Sequence, residues 1–432
     1  MTSYIIEGGR RLEGEVDVSG SKNASLPIIA ASILNKKITK LYNVPNIHDT
    51  QITLKILEIL GCKIYRKNGK IIIDSSNMEE HKIPDDLMRQ MRSSVVLAVA
   101  IIGRFKKATF SYPGGCDIGS RPIDLHLKGL RKLGIDIEEE AGYINCKGNR
   151  IIGNEIHLDF PSVGATENII MAAVLAEGKT IITNAAMEPE IVDLQNFLNK
   201  MGAKIEGAGT NVIKIEGVNN LKEVSYNIMP DRIEAGTLLC ATAITGGKIK
   251  LNKIIPTHIG PVISKLEESG CKIDVEKNSV ILEAPKRLKA VDIKTMPYPG
   301  FPTDMQSIFT GILTTAKGTS MIVENIFESR YKYTNELKRM GAKITTEGKV
   351  AIVKGTKKLV GTTVEATDLR GGATLVLAGL VAKGKTTVNN AEHILRGYEA
   401  LDKKLNKKGQ VSLILLLSIR LFYIPLHLVL DG

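Results

Sequence analysis

The stretch EIVDLQNFLNKMGAKIEGAGTNVIKIEGV, Glu190–Val218, contains the pattern that decides the fold. Its first half spaces apolar residues three and four positions apart, which predicts an amphipathic helix. Gly202 follows where a glycine commonly ends a helix. The second half alternates polar and apolar residues around a glycine-rich turn, which predicts a β-hairpin. The stretch is therefore interpreted as a helix followed by two antiparallel strands.

The junction between this helix and its hairpin recurs along the chain. It reads LGCKI from Leu60, LGIDI from Leu133, MGAKI from Met201, SGCKI from Ser269 and MGAKI from Met340. The glycines of these copies are 73, 68, 68 and 71 residues apart, and a further step of 68 falls on Gly409. The sequence therefore predicts six units of about seventy residues each.

Each unit also contains a helix of small residues and a further strand. In the third unit these are TENIIMAAVLAEG and KTIITNAAM, residues 166–187. The elements together predict an α/β protein built from βαβαββ modules, whose apolar faces must be buried against neighbouring modules. Six modules over two compact cores place three in each domain. A cleft between two such domains is the expected place for a ligand.

The composition narrows the class of ligand. The chain has 432 residues, of which 43% are hydrophobic and 24% charged, as in ordinary globular proteins. The net charge of +12 indicates an anionic partner, and its spread along the chain favours a small phosphorylated molecule. Aromatic residues make up only 4% and tryptophan is absent, so we expect no nucleic-acid partner.

Cysteine and histidine usage argues against a metal site. Five cysteines show neither zinc-site spacing nor a disulfide framework, and seven histidines are scattered. The N-terminus lacks the apolar segment of a signal peptide, so a cytoplasmic location is expected. We predict no cofactor and no metal.

The sixth unit departs from the repeat after Lys407. The tail Val411–Leu430 is long and apolar enough for a membrane span, but Arg420 and Pro425 interrupt it. We favour a divergent end, such as an altered reading frame would produce, over a membrane anchor. Such an end would replace the last strands and leave the edge of a sheet unpaired.

Cys116 lies in SYPGGCDIGSRPIDLH, Ser111–His126, a glycine-rich link that other units lack. Arg121 follows it, and Pro122 suits the first turn of a helix. A helix N-terminus and a guanidinium both lower the pKa of a thiol. The residues alone leave a functional cysteine and a plain turn equally open. The remaining cysteines are expected to be buried and structural: Cys62, Cys146, Cys240 and Cys271.

Charged residues recur where a strand is followed by a helix, which is the edge where βα units bind ligands. Several arginines at one such edge would suit a doubly anionic phosphate, although a solvated surface explains each residue singly. We expect Ser21, Lys22 and Asn23 to form a turn before a helix that starts near Pro27. The other candidates are Arg92, Asp231, Arg232, Glu234, Asp304, Asp368, Arg370 and Arg396.

With these residues in view, the chain resembles the UDP-N-acetylglucosamine 1-carboxyvinyltransferase family, the enolpyruvyl transferases that open bacterial peptidoglycan synthesis. The similarity runs from about Ile5 to about Leu405 and includes SGSKNASLPI, PGGCDIGSRPIDLH, PDRIEAGT, FPTDMQ and ATDLRGGA. It implies two inside-out α/β barrel domains of three units each. Residues 22–229 would form the first domain, residues 1–21 plus 230–410 the second, and 411–432 an atypical tail.

The resemblance also implies a reaction. The enolpyruvyl group of phosphoenolpyruvate moves to the 3′-hydroxyl of UDP-N-acetylglucosamine, and phosphate leaves by addition and elimination. Cys116 matches a proton donor that can form a covalent adduct with phosphoenolpyruvate, and Asp304 matches the base for the sugar hydroxyl.

Binding residues are implied in the same way. Lys22, Arg121 and Arg396 match a cationic clamp on phosphoenolpyruvate, Arg370 matches its neighbour, and Asn23 orients the reacting centre. Phe160 stands where some members carry a lysine near the nucleotide phosphates. The residues implied for the UDP-sugar site are Arg92, Arg121, Pro122, Ile123, Asp124, Leu125, Ser162, Val163, Gly164, Asp304, Ile326 and Phe327.

Two other interpretations of the sequence stay open. One is the sister enzyme of the shikimate pathway, which transfers the same group to shikimate 3-phosphate, although the PGGC and RPIDLH segments speak against it. The other is a catalytically silent binding protein, tethered to a membrane through Val411–Leu430.

Overall fold

The computed structural model describes residues 2–67, 69–88, 94–112, 123–406 and 412–417. The α-helices are α1 (Lys22–Ala31), α2 (His48–Ile59), α3 (Asp85–Met88), α4 (Ser94–Phe105), α5 (Asp124–Lys132), α6 (Val163–Ala173), α7 (Pro189–Lys200), α8 (Arg232–Thr245), α9 (Gly260–Glu268), α10 (Gln306–Leu313), α11 (Tyr333–Arg339), α12 (Leu369–Gly379), α13 (Glu392–Leu395) and α14 (Leu401–Leu405). Short 3-10 helices cover Ser32–Asn35, Pro256–Ile259 and Thr303–Met305.

The strands are β1 (Thr2–Glu7), β2 (Glu13–Asp17), β3 (Ile38–Tyr42), β4 (Lys63–Lys67), β5 (Lys70–Asp74), β6 (Lys107–Ser111), β7 (Asp136–Glu140), β8 (Tyr143–Lys147), β9 (Glu155–His157), β10 (Lys179–Thr183), β11 (Lys204–Glu206), β12 (Val212–Glu216), β13 (Val224–Asn227), β14 (Lys248–Asn252), β15 (Lys272–Val275), β16 (Ser279–Glu283), β17 (Ile293–Lys294), β18 (Thr319–Val323), β19 (Lys343–Glu347), β20 (Val350–Lys354), β21 (Thr363–Glu365), β22 (Lys385–Asn389) and β23 (Ser412–Leu417).

Among the described residues the strands form six sheets, one for each predicted unit. The third sheet, in the order β11-β12-β10-β9, shows the plan. Strand β10 runs antiparallel to β12 and parallel to β9, and β11 completes the hairpin with β12. The first, fourth, fifth and sixth sheets repeat this order, while the second sheet has three strands, β6-β8-β7. The six-unit prediction is therefore confirmed.

The small-residue helices lie inside and the sheets lie outside, as the inside-out α/β prediction requires. Helix α6 is buried from Ala165 to Ala173, whereas β10 alternates between buried residues and residues that are exposed or partly exposed. Helix α4 packs against α1 and α6, and α10 packs against α8 and α12. Small residues permit this close approach: a Cβ on Gly311 of α10 would lie 2.6 Å from Thr374 Cγ2 of α12.

Buried hydrophobic side chains form two clusters. The first core draws on residues 24–229, and the second core on residues 4–18 and 233–405. The chain passes between them twice, and the two passages bond to each other. Ser21 N donates to Met229 O at 2.8 Å, and Asp231 N donates to Ser19 O at 2.8 Å. The two cores support the domain boundaries given above, which stay a proposal.

Helix α1 begins earlier than the sequence analysis predicted. Lys22 is its first residue, and the side chain of Ser21 caps it by accepting a hydrogen bond from Ala24 N at 3.2 Å. Pro27 therefore lies inside the helix, and the predicted start near Pro27 is wrong. The serine cap satisfies a backbone donor at the helix start, so it outweighs the single hydrogen bond that Pro27 cannot make.

The start of the atypical tail continues the sixth sheet. Strand β23 pairs antiparallel with β1 over six residues, from Thr2 opposite Leu417 to Glu7 opposite Ser412. The expectation that the last strands are lost and the edge of a sheet is left unpaired is therefore wrong where Ser412–Leu417 pairs with β1, because strand pairing uses backbone groups and tolerates a changed sequence. Residues 418–432 lie outside the described part of the chain.

A membrane span can be assessed only for the described residues. No helix among them is both long and apolar enough to cross a bilayer. Within the predicted span Val411–Leu430, the described segment is the strand β23.

Strand β1 lies between β22 and β23, so the N-terminus completes the last unit. Ile6 of this strand is fully buried. We predict that Ile6→Ala lowers the free energy of unfolding by about 2–5 kcal/mol, measured by urea denaturation, because it leaves a cavity. Val360→Ala, at a residue 57% exposed, is the control and should stay within about 0.5 kcal/mol of the wild type. Equal stability of the two variants would contradict a central role for β1.

Candidate active site

Asp49 is the second residue of α2 and lies on the same helix face as Ile52 and Ile56. Only 1% of its side chain is exposed. Lys22 Nζ lies 3.1 Å from Asp49 Oδ2, and Arg396 Nε donates to Asp49 Oδ1 at 2.9 Å. Asp49 belongs to an element of the first core, and Arg396 directly follows α13 of the second core. This carboxylate therefore joins the two cores.

Burial alone would raise the pKa of the Asp49 carboxyl. The charge of Lys22 and the hydrogen bond and charge of Arg396 outweigh burial, so the pKa lies below its usual value. Asp49 is therefore ionised at neutral pH and holds both cations by charge.

Asp304 is the second carboxylate centre, in the 3-10 helix before α10, and it is partly exposed. Arg330 Nη2 donates to Asp304 Oδ1 at 2.7 Å, and Arg370 Nη2 donates to Oδ2 at 3.0 Å. Both arginines are 3% exposed, whereas Asp304 is 27% exposed. Burial raises the pKa of Asp304, but the charges of Arg370 and Arg330 outweigh it and hold the pKa far below its usual range. Asp304 is therefore ionised at neutral pH, and part of its side chain stays exposed.

Arg370 is held in place from several sides. It follows the N-cap Asp368 of α12, whose Oδ1 accepts hydrogen bonds from Arg370 N at 3.0 Å and Gly371 N at 2.9 Å. The ring of Tyr398 lies 5.1 Å from its guanidinium carbon. Burial opposes the charge on Arg370, but Tyr398 and Asp304 raise its pKa above the usual value. Within the described residues, its Nη1 is buried without a hydrogen-bond partner.

The charge of Lys22 acts on both carboxylate centres. Lys22 N donates to Asp231 Oδ2 at 3.0 Å, and Asp231 caps α8. The charge of Lys22 also contributes to lowering the pKa of Asp304, and that of Asp231 raises the pKa of Arg370. Asn23 follows Lys22 in the first turn of α1 and is partly exposed. The structure therefore brings together Lys22, Asn23, Asp304, Arg370 and Arg396.

A second group of predicted residues lies at the starts of α5 and α6. The side chain of Ser162 caps α6 by accepting from Ala165 N at 3.3 Å. A Cβ on Gly164 would lie 2.8 Å from His126 Cε1 of α5, so the two helix starts approach closely. Asn168 Nδ2 of α6 lies 2.6 Å from His126 Nδ1. The predicted residues brought together here are Ile123, Asp124, Leu125, Ser162, Val163 and Gly164.

The loop Ile326–Phe327 is tied to Asp304 through a buried glutamate. Ile326 N and Phe327 N donate to Glu324 Oε1 at 2.8 and 3.1 Å. Thr303, which precedes Asp304, donates its hydroxyl to Glu324 Oε2 at 2.9 Å. The Phe327 ring lies 5.2 Å from the guanidinium carbon of Arg330. This loop therefore borders the carboxylate that we assign to the reaction below.

Four of the predicted site residues cannot be placed: Arg92, Cys116, Arg121 and Pro122 lie outside the described residues. Phe160 is 44% exposed. Within the described ranges, no group of three or more His, Cys, Asp or Glu side chains is arranged to hold a metal ion.

The sequence analysis missed Asp49, Arg330 and Tyr398. Asp49 had a readable signal, because an acidic residue on the apolar stripe of an amphipathic helix requires a partner. Arg330 lies in the segment FESRY, where nothing in the residue spacing indicates that its side chain reaches Asp304. Tyr398 has no sequence signal beyond being aromatic.

Glu234 is a further buried carboxylate, beside the passages between the cores. Its Oε2 accepts a hydrogen bond from Ser19 N at 3.3 Å, and Lys404 donates to its Oε1. Burial raises the pKa of Glu234 to about 7, although Lys404 acts in the opposite direction. Since this exceeds the ordinary value of 4.5, the folded protein holds the proton more tightly than the unfolded chain does.

The stability contributed by Glu234 is therefore complete below pH about 4.5 and is lost as the pH rises to about 7. Between these pH values, we predict that the unfolding free energy of Glu234→Gln declines less steeply than that of the wild type, by up to about 1.4 kcal/mol per pH unit. Urea denaturation across this pH range measures it, with the exposed Glu223→Gln as control. A decline as steep as in the control would contradict the prediction.

The four described cysteines, Cys62, Cys146, Cys240 and Cys271, are free and buried, and burial raises the pKa of each thiol. We predict that native protein at neutral pH takes up one equivalent of iodoacetamide, and that Cys116→Ser abolishes the uptake, because reactivity follows exposed thiolate. Mass spectrometry counts the labels, and unfolded protein should take up five. Labelling of a buried cysteine in the native protein would contradict the prediction.

The chain is similar to enolpyruvyl transferases along nearly its whole length. The sequence profile described as EPSP synthase (3-phosphoshikimate 1-carboxyvinyltransferase) matches residues 6–405. UDP-N-acetylglucosamine 1-carboxyvinyltransferase 2 of Caldanaerobacter subterraneus subsp. tengcongensis is 56% identical over 410 residues, 95% of this chain and 98% of the relative. The protein of the same name from Clostridium tetani is 51% identical over 411 residues, 95% of this chain and 99% of the relative.

Solved structures show the same fold. The enolpyruvyl transferase NikO from Streptomyces tendae matches with a TM-score of 0.86 at 25% identity, over 96% of this chain and 98% of the other. The EPSP synthase of Acinetobacter baumannii matches with a TM-score of 0.73 at 20% identity, over 96% of this chain and 100% of the other. At 20% identity, the similarity to the EPSP synthase structure shows only that the fold is the same.

Proposed function

The chain belongs to the EPSP synthase family, and we propose that it transfers the enolpyruvyl group of phosphoenolpyruvate to the 3′-hydroxyl of UDP-N-acetylglucosamine, the first committed step of peptidoglycan synthesis. One structural observation carries the proposal: the cleft holds a carboxylate open to a ligand, Asp304, together with two partly exposed cations, Lys22 and Arg396. A base for a hydroxyl and positive charge for a phosphate are what this transfer needs.

The choice of acceptor rests on the relatives. Those at 48–56% identity carry the UDP-N-acetylglucosamine name, whereas the EPSP synthase structures are only 20–21% identical. We assign the nucleotide sugar to the starts of α5 and α6, where the packing of Gly164 on His126 brings the predicted residues of the two helices together. Shikimate 3-phosphate is the alternative acceptor that the experiment includes.

The proposed addition step begins at Asp304. Its carboxylate accepts the proton of the 3′-hydroxyl while that oxygen attacks C2 of phosphoenolpyruvate, and the thiol of Cys116 gives a proton to C3. The carboxylate of phosphoenolpyruvate is a competing anion for Arg370, whose Nη1 is unpaired within the described residues. Once Arg370 turns towards the substrate, Asp304 loses a cation and its pKa rises, which makes it a better base.

In the elimination step, the thiolate of Cys116 takes a proton from the C3 methyl group, and Asp304 gives its proton to the departing phosphate. The bond between C2 and the phosphate oxygen breaks, and inorganic phosphate leaves as the double bond re-forms. Lys22 and Arg396, with Arg121 from outside the described residues, stabilise the charge on the departing phosphate. The two substrates are small molecules, and we place the reaction in the cytoplasm, which the free thiols of the described cysteines support.

We predict that phosphate release requires both phosphoenolpyruvate and UDP-N-acetylglucosamine, and that Asp304→Asn lowers kcat by about 100-fold or more because the base is lost. Cys116→Ser should lower it as well, through loss of the proton donor. A colorimetric phosphate assay measures the rates, with Asp274→Asn, at an exposed residue of β15, as the matched control.

Three outcomes decide the proposal. Release with shikimate 3-phosphate instead of the UDP-sugar would replace the acceptor. Binding of both substrates by monodisperse protein without any release would favour the silent binding protein. An Asp304→Asn variant as active as Asp274→Asn would remove Asp304 from the reaction.

A further inference from the structure

We propose that Asp49 is a positioning residue that assembles the phosphate site across the cleft, by holding Lys22 and Arg396 side by side before any substrate arrives. The inference rests on the proposed function, because the phosphate concerned is that of phosphoenolpyruvate. It concerns a residue that the sequence analysis did not select.

The exposure of the three side chains indicates which of them meets a ligand. Asp49 is 1% exposed, whereas Lys22 is 14% and Arg396 is 17% exposed. The carboxylate therefore lies beneath the two cations, and the cations lie on the surface of the cleft. An anion entering the cleft meets Lys22 and Arg396 and cannot take the place of Asp49 without disrupting the packing beneath them.

The geometry of Arg396 leaves part of its guanidinium available. Nε donates to Asp49 Oδ1 at 2.9 Å, and Nη2 donates to Oδ2 at 3.4 Å. Asp49 thus binds the edge of the planar guanidinium that carries Nε and Nη2. Within the described part of the chain, the Nη1 side stays available to a ligand. A guanidinium fixed by one edge presents its remaining donors in a defined direction.

The pair is also an interdomain contact. Lys22 begins α1, which packs on α2, so Lys22 and Asp49 belong to one rigid side of the cleft. Arg396 comes from the other side, where Glu399 Oε1 accepts a second cross-cleft hydrogen bond from Asn46 N at 3.2 Å. When Asp49 brings the two cores together, it also completes the phosphate site. Lys22 and Arg396 then lose less conformational freedom when substrate binds.

Charge balance gives Asp49 its effect. Two cations against one carboxylate leave a net positive charge for a phosphate, whereas two cations without it would repel each other across the cleft. Asn at this position keeps the shape and removes the charge. We therefore expect Asp49→Asn to raise the KM and the Kd for phosphoenolpyruvate by about tenfold to a hundredfold, with less than a threefold change in the KM for the UDP-sugar.

The test uses the full chain and three variants. Asp49→Asn removes the charge, Asp49→Glu keeps it on a longer side chain, and Asp136→Asn, at an exposed residue of β7, is the matched control. Isothermal titration gives the Kd for phosphoenolpyruvate, phosphate release gives both KM values, and small-angle scattering of substrate-free protein reports how far the cores separate. We expect a larger radius of gyration for Asp49→Asn than for the control, and an intermediate KM for Asp49→Glu.

The outcomes separate three cases. An Asp49→Asn variant that binds phosphoenolpyruvate as well as the control, or more tightly, overturns the inference, and tighter binding would make Asp49 a competitor of the substrate. If Asp49→Asn does not fold, the Asp49→Glu variant decides between the two roles. A purely structural role of Asp49 would not change the KM for phosphoenolpyruvate more than the KM for the UDP-sugar. If the wild-type protein does not bind phosphoenolpyruvate, the proposed function and this inference are both overturned. If the wild-type protein turns over normally and Asp49→Asn behaves like it, this inference alone is overturned.

Discussion

A carboxylate removed from water needs cations or hydrogen-bond donors in place of its hydration, and the cleft of this protein depends on the cations. Asp49 and Asp304 are each held by two cations, and Glu234 by Lys404. Asp49 and Arg396 are 347 residues apart in sequence, so this pair forms only when both cores are complete. Correct folding of the whole chain is thus a condition for assembling the charged cleft.

The repeat explains why these charges meet. The inner helices α1, α8 and α12 begin at capping residues, Ser21, Asp231 and Asp368, whose side chains accept backbone hydrogen bonds. A cation follows each cap within two residues: Lys22, Arg232 and Arg370. Because the units repeat, the starts of these helices occupy equivalent positions in their units. A cation that would be an ordinary surface residue in a single unit therefore becomes part of a charged cluster when the units pack together.

The sequence predicted what repeats and what depends on local pattern: the six units, the hairpins after glycines such as Gly202, and the burial of the four described cysteines. It predicted the residues of the cleft only through the family resemblance. It failed where distant partners decide the outcome, as for Arg330 with Asp304, and where two local signals compete, as for Ser21 and Pro27. The pairing of β23 with β1 was missed because backbone pairing does not depend on the repeat motif being kept.

The two charged centres require opposite acid–base behaviour of Asp49 and Asp304. Asp49 serves by staying ionised, so burial beneath its cations suits it. In the proposed reaction Asp304 must accept a proton, and the same strong pairing with Arg330 and Arg370 opposes that. Asp304 is 27% exposed, and among the described residues the buried Nη1 of Arg370 has no hydrogen-bond partner. In the proposed mechanism the substrate carboxylate competes with Asp304 for this arginine and weakens its hold. In that mechanism the arrival of phosphoenolpyruvate makes Asp304 a stronger base, whereas Asp304 paired with both arginines is a weak one.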